Sequence, residues 1–236
     1  MGNIYVTSDT HGLRDIAKIE YLKNMKCLTQ DDFLIIGGDF GMIWNNEEDG
    51  LIELALKDFY ESLGCTVLWV DGNHENHARL NAMPVTFWHG GKVHQISEHV
   101  FHLMRGQVFE ICGKKFFTMG GAASTDKQWR TQGISWWKQE VPNKKERKEA
   151  KKNLKKAKWR VDFVVSHTAP SKILAKIGAN YRIDEYTNWL EEIANKLKFS
   201  TWYFGHFHDD MCIEKGKYIL CFDEVNMIFG EEEADA

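Results

Sequence analysis

The chain has 236 residues, of which 43% are hydrophobic and 27% charged, with only three prolines; this composition excludes disordered, collagen-like and low-complexity classes. Its formal net charge of −4 predicts no general affinity for nucleic acid, and no apolar run approaches the roughly 18 residues that a membrane span needs. The five cysteines (Cys27, Cys65, Cys112, Cys212 and Cys221) are odd in number, scattered and without a C-x-x-C pair, which argues against a disulfide framework or a structural zinc and for reduced thiols in a cytoplasmic protein.

In chain order, short apolar runs each end in a loop rich in Gly, Asp, Asn or His. Ile4-Tyr5-Val6-Thr7 leads directly from the N-terminus, with no basic leader, into Ser8-Asp9-Thr10-His11-Gly12. An amphipathic helix is predicted over 14–27, with Ile16, Ile19, Leu22 and Met25 on one face. Phe33-Leu34-Ile35-Ile36 then ends at Gly37-Gly38-Asp39-Phe40-Gly41, and a second helix is predicted over 46–63. Val67-Leu68-Trp69-Val70 ends at Asp71-Gly72-Asn73-His74-Glu75, and a hairpin is predicted over 108–118 about Cys112-Gly113-Lys114. Between Asn143 and Arg160 stand ten Lys or Arg against two Glu; Ala150, Leu154 and Ala157 give this run a thin apolar stripe, so it reads as a solvated helix face, with polyanion docking as the alternative. Val161–Val165 ends at Ser166-His167-Thr168, a third helix is predicted over 183–198, and Thr201–Phe204 ends at Gly205-His206-Phe207-His208. A second hairpin follows over 211–222, and residues 230–236 form an acidic tail. Apolar runs of this kind suit strands buried on both faces, and the intervening helices imply α/β crossovers. With no Pro/Gly/Ser linker and no internal repeat, one domain is expected over 1–236, with an insertion or lid at 122–160.

Five strand ends therefore deliver Asp, Asn or His, which is where α/β folds place ligand sites. Any one of these loops alone is weak, but D-x-H, G-D, G-N-H-E, S-H and G-H-x-H in this order resemble the calcineurin-like metallophosphoesterases, from Asp9 to His208. The resemblance implies an α/β fold, a four-layer αββα sandwich of two mixed β-sheets flanked by helices, holding two divalent metal ions. It implies that Asp9, His11 and His208 bind one ion, that Asn73, His167 and His206 bind the other, and that Asp39 bridges them. Carboxylate, amide and imidazole ligands without thiolate suit Mn foremost, or Fe, Zn or Co. A metal-bridging hydroxide would attack phosphorus in line, and His74 would act as general acid toward the leaving oxygen. Asp71, Glu75 and Asp209 are candidates for orienting His74.

Gly38-Asp39-Phe40-Gly41-Met42-Ile43-Trp44 departs from the G-D-x-V-D-R-G of Ser/Thr protein phosphatases, which weakens that reading. Arg130 and Arg105 are candidates for pairing with a substrate phosphate, and Gly120-Gly121 either admits a phosphate to the backbone or is a strand-end turn. Trp129, Trp136 and Trp137 are expected to pack this segment onto the sandwich, with base stacking as the alternative. His77, His89, His94, His99 and His102 match no metal motif. The function expected is hydrolysis of a phosphodiester or phosphomonoester in a small, nucleotide-like substrate, without membrane or obligate protein partner. The alternatives are a nuclease using the basic 143–160 segment, a protein phosphatase, and a non-catalytic metal-binding scaffold.

Overall fold

In the computed structural model, which describes residues 2–46, 49–178 and 181–229, the first half of the chain runs β1 (Ile4–Thr7), α1 (Ala17–Met25), β2 (Phe33–Ile36), α2 (Leu51–Glu61), β3 (Thr66–Trp69), α3 (His77–Ala82), β4 (Thr86–Trp88), β5 (Gly91–Gln95) and β6 (Val100–Leu103). The second half runs β7 (Gln107–Ile111), β8 (Lys114–Met119), α4 (Lys144–Lys156), β9 (Phe163–Ser166), α5 (Ser171–Ile177), α6 (Glu185–Lys196), β10 (Thr201–Phe204), β11 (Met211–Ile213), β12 (Tyr218–Leu220) and β13 (Asn226–Phe229). Two mixed sheets form, the first from β1 to β6 with β13 returning to its edge, the second from β7 to β12. The first has the order β13-β1-β2-β3-β6-β5-β4, its four central strands parallel, and the second has the order β11-β12-β10-β9-β8-β7. The acidic tail expected at 230–236 lies outside the described residues.

Alternation along the strands sorts their side chains into three apolar layers. Ile4, Val6, Ile35, Leu68 and Val70 point inward from the first sheet and meet Phe109, Phe116, Val165 and Tyr203 from the second. Tyr5, Leu34, Ile36, Val67 and Trp69 point outward onto Ile19 and Leu22 of α1 and Leu56 and Tyr60 of α2. Phe117, Val164, Trp202 and Phe204 face Ala150 and Leu154 of α4 and Leu190 and Ile193 of α6. The result is helices, sheet, sheet, helices, and each fully buried side chain of this size contributes about 1.5–3 kcal/mol. All three expected helices form, with ends trimmed by a few residues, and α2 starts only after Gly50. Both hairpins form as antiparallel pairs; the first turns on Cys112 and Gly113, at φ 49° and 70°, the left-handed pair a two-residue turn requires.

The basic run is α4, started by an Asn143 capping box with Glu146, and it buries Ala150 and Leu154 as its stripe implies. Arg147 and Lys151 pair with Glu185 and Glu192 of α6. The aromatic expectation holds only in part: Trp137 is buried, whereas Trp129 is 85% exposed.

Arg105 sits where the chain crosses from the first sheet to the second. Its guanidinium binds Asp71 through Nε (2.8 Å) and Nη2 (2.5 Å), donates to the Glu140 carbonyl (3.1 Å) and lies 3.4 Å from the Glu146 carboxylate. Burial opposes the charge on Asp71, but Arg105 and His102 outweigh it and hold this carboxyl well below the usual range. Removing the guanidinium would strand a buried carboxylate, so Arg105→Ala is expected to lose about 3–5 kcal/mol and lower Tm by roughly 10 °C in thermal melts. An Arg105→Ala/Asp71→Ala double variant should lose less than the sum of the singles; strict additivity would show that the pair is not coupled.

Candidate metal centre

The parallel strands β1, β2 and β3 of one sheet and β9 and β10 of the other all end at one edge of the sandwich, so five loops converge there. Among the described residues, three groups bring ligand atoms within 4.8 Å of one another: Asp9, His11 and His208; His11, Asp39 and His74; and Asp39, His167 and His206. The residues expected to hold each ion are thus brought together, and Asn73 joins the last group, its Oδ1 3.2 Å from His167 Nε2.

Asp39 stands at the junction. Its Oδ1 accepts from the His74 backbone N–H (2.7 Å), while Oδ2 lies 3.4 Å from His11 Nε2 and 3.3 Å from His167 Nε2. On the Asp9 side, Oδ2 accepts from the His206 N–H (2.9 Å); Oδ1 is buried without a hydrogen bond and faces His208 Nε2 at 3.4 Å. With ligand bonds of about 2.0–2.2 Å, neighbouring ligands of one divalent ion would stand roughly 3.0–3.5 Å apart, and these separations match that spacing. The orphaned Asp9 oxygen and the borderline donor set fit two divalent ions.

The histidine tautomers are set from outside the cluster. His167 Nδ1 is 2.9 Å from the Gly37 carbonyl and His11 Nδ1 is 2.9 Å from Asp15 Oδ2, which leaves each Nε2 for the centre. Asn73 donates its amide N–H to Ser124 Oγ (3.2 Å), which in turn donates to Glu140 (2.7 Å), so the amide oxygen turns inward. Lys18 donates to the Ser8, Asp9 and Phe222 carbonyls and seals the underside of the Asp9 loop. Glu75 accepts from the Phe40, Gly41 and Gly72 N–H groups and clamps the Asp39 loop to the Asn73 loop.

Backbone geometry shares the load. Asp9, His11, Asp39, His206 and His208 all have positive φ, between 45° and 76°, a conformation that costs about 1 kcal/mol or more for a non-glycine residue. Gly38 (φ 106°) is required because a Cβ there would overlap the His167 imidazole.

Charge follows the same pattern. Burial would raise the Asp39 carboxyl, yet the His167 charge and the His11 and His167 hydrogen bonds hold it well below the usual range. Burial disfavours charge on His167, but Asp39 and Asp9 push its pKa up to about 10. Burial lowers His206 to about 4, and the His167 charge adds to that.

His74 is not oriented by Asp71, Glu75 or Asp209. Asp71 binds Arg105 and His102, Glu75 is consumed by backbone N–H groups, and Asp209 accepts from the Asp210 N–H. Its ring instead packs on Trp44 (centroids 5.8 Å apart) and beside Arg130, whose Nη1 and Nη2 lie 3.2 Å from Nδ1 and Nε2; Asp126 holds that guanidinium at 2.9 Å. Burial lowers the His74 pKa, Asp39 opposes this and Arg130 adds to it. The two arginines named as phosphate ligands therefore part: Arg130 reaches the centre, whereas Arg105 is buried and its donors are used by protein acceptors. Gly120 and Gly121 belong to the strand-end packing, with the Gly121 N–H on the Asp71 carbonyl (2.7 Å). Ser124 and Glu140 escaped the sequence reading because they lie beside Asn73 only in the folded chain, and Asp15 and Lys18 because the left-handed turn after β1, which no motif marks, folds them back on His11 and Asp9.

The calcineurin-like phosphoesterase family model matches residues 2–210. The chain belongs to that family. Membership in that family and the clustered Asp and His residues support metal-dependent hydrolysis of phosphoric esters. A comparison with curated proteins gives no significant match. Among solved structures, phosphopantetheinyl hydrolase from Mycobacterium tuberculosis aligns over 100% of this chain and 98% of its own, at 12% identity and TM-score 0.54, a likeness of fold. A Staphylococcus aureus protein named "Putative 5'-Nucleotidase", in complex with alpha-ketoglutarate, aligns over 93% of this chain at 15% identity and TM-score 0.49; this chain spans 48% of it. Among the described residues no helix is long and apolar enough to cross a membrane.

A metal held by His167, as the family resemblance implies, would displace its proton, so loading with Mn at pH 7 should release close to one proton per protein, read by calorimetry in two buffers of different ionisation enthalpy. Release near zero would remove His167 from the ligand set.

Proposed function

We propose that the chain is a di-metal phosphodiesterase acting on a small nucleotide-like substrate, with Asp9, His11 and His208 around one ion, Asn73, His167 and His206 around the other, and Asp39 shared. The observation that carries this reading is the single oxygen, Asp39 Oδ2, placed 3.4 Å and 3.3 Å from the imidazole nitrogens of the two groups. When bound, two divalent ions, Mn foremost with Fe, Zn or Co as substitutes, supply Lewis-acid neutralisation of phosphoryl charge and a deprotonated water at neutral pH. The histidines and carboxylates fix the ligand positions, and their hydrogen bonds to Gly37, Asp15 and the His74 and His206 N–H groups hold them there before substrate arrives.

His74 protonates the leaving oxygen through its imidazole, held against Trp44 on one side and Arg130 on the other. Arg130 pairs with the phosphoryl oxygens, for which its planar fork is suited. A diester is favoured over a monoester because the cluster opens onto two cavities, one bearing His74 and one bearing His206, so both substituents of the phosphate have room. The basic residues of α4 are in part answered by α6 carboxylates, which supports a small molecule rather than a polynucleotide as substrate. The five cysteines are free thiols, which supports a reducing, cytoplasmic setting.

The test is hydrolysis of bis-p-nitrophenyl phosphate against p-nitrophenyl phosphate after metal stripping and Mn readdition. Metal-dependent turnover with the diester ahead is expected, and monoester preference would make the enzyme a phosphatase. Asp39→Ala should lose metal retention and turnover. His74→Ala should retain metal and lose about 100-fold or more in kcat on alkyl diesters, and much less on p-nitrophenyl esters, whose leaving group needs no proton. Equal rates for wild type and His74→Ala on alkyl diesters would refute the general-acid role.

A further inference from the structure

The two cavities that meet at the metal cluster differ in chemistry. One, of about 450 Å³, is walled by Leu13, Met42, Trp44 and Ile52, with His74 in its side. Leu13 and Ile52 are 52% and 54% exposed at its mouth, so apolar surface stands open beside the reacting centre. Its charged members do little to change this: Glu53 is taken up by Arg79 (2.9 and 3.2 Å) and Lys57 (3.4 Å), and Arg14 stands at the exposed rim. The other, of about 590 Å³, begins at His206 and holds Lys127, Arg147, Arg182 and the edge-to-face pair Tyr181 and Phe207. Its carboxylates are already engaged, Glu185 by Arg147 and Asp184 by the first turn of α6. Among the described residues Lys127 and Arg182 form no ion pair with a carboxylate, which leaves two cations facing this space. Both volumes suit a small-molecule moiety.

Resting on the phosphodiesterase reading, we propose that the substrate is an unsymmetrical phosphodiester whose departing half is an apolar alcohol seated on Leu13, Trp44 and Ile52, and whose retained half carries a second anionic group held by Lys127 and Arg182. The direction follows from His74. It lines the apolar cavity and not the cationic one, so the oxygen it protonates is the one that leads into the apolar cavity. One water is consumed: its oxygen bonds to phosphorus, the phosphorus–oxygen bond to the apolar alcohol breaks, and the alcohol departs with the proton from His74. The water's surplus protons return to His74 and to solvent, and the retained half leaves as a phosphomonoester. In-line geometry requires the departing oxygen to lie opposite the attacking one, and with His74 on the apolar side alone an unsymmetrical ester would be protonated in one orientation.

The experiment uses four thymidine 5′-phosphodiesters, with methyl or 3-phenylpropyl as the second ester group and with or without a 3′-phosphate, assayed with the Mn-loaded full chain by product chromatography. The two alcohols have similar acidity, so differences report binding. The 3-phenylpropyl ester is expected to exceed the methyl ester in kcat/KM by about tenfold or more, and the 3′-phosphate to add a similar factor. The product should be the thymidine phosphate and the free alcohol. Leu13→Ser/Ile52→Ser should collapse the first ratio and spare the second, and Lys127→Ala/Arg182→Ala should do the reverse. Independently of turnover, thymidine 3′,5′-bisphosphate should bind about tenfold more weakly to Lys127→Ala/Arg182→Ala by calorimetry. Ratios near one, ratios indifferent to the variants, or release of thymidine with phenylpropyl phosphate would overturn this inference while leaving the phosphodiesterase reading intact. Absence of turnover on all four and on bis-p-nitrophenyl phosphate would overturn both.

Discussion

The site hangs on one carboxylate. Asp39 is buried, is fixed at Oδ1 by the His74 N–H, and turns Oδ2 to imidazoles that arrive from different sheets, His11 after β1 and His167 after β9. A buried anion in this position is tolerable only with compensating cations around it, protons on histidine in one state and metal ions in the other. That requirement explains why the loops are packed so tightly that Gly38 has no room for a Cβ, and why Glu75 spends its carboxylate on backbone N–H groups that lock the Asp39 and Asn73 loops together.

The rest of the fold delivers these loops. Parallel strands put their carboxyl ends at the same edge, and pairing two such sheets face to face through Ile35, Leu68, Phe116 and Val165 superimposes two sets of strand ends. The crossing between sheets is secured by Arg105 with Asp71, a charged pair just beneath the Asn73 loop. His102 and His94 extend this pair into the first sheet, at 3.2 and 3.1 Å, which gives two histidines outside every metal motif a structural place. The residues proposed to meet the substrate, by contrast, are dictated by no strand: Trp44, Arg130 and Arg182 stand on connecting segments and Lys127 opens a single 3-10 turn.

Some elements were illegible for identifiable reasons. β4, β5 and β6 carry three to five residues each and mix Lys, His and Gln with apolar positions, so neither periodicity nor length marks them. His94 and His102 match no metal motif, which leaves surface and core both open in sequence; they are buried, and each offers the other a ring nitrogen. α3 and α5 are six and seven residues long, too short for an apolar stripe. Arg105 and Arg130 are equivalent in sequence, both near the Gly120 loop, and only the position of Asp71 decides that one is structural and the other reaches His74.

The sequence by itself determined the family, the central strands, the three helices expected over 14–27, 46–63 and 183–198, and which Asp, Asn and His residues gather at the strand ends, because those depend on local alternation and on residue types at strand ends. Tertiary structure alone decided which side-chain atoms face into the cluster, through Gly37, Asp15, Ser124 and Glu140, and which arginine stands beside His74. It also decided that an apolar and a cationic cavity meet at the centre. Several of these contacts join groups far apart in the chain, His167 with Gly37 across 130 residues and Asn73 with Ser124 across 51, and hydrogen-bond direction, burial and the sign of a local field exist only once such groups have been brought together.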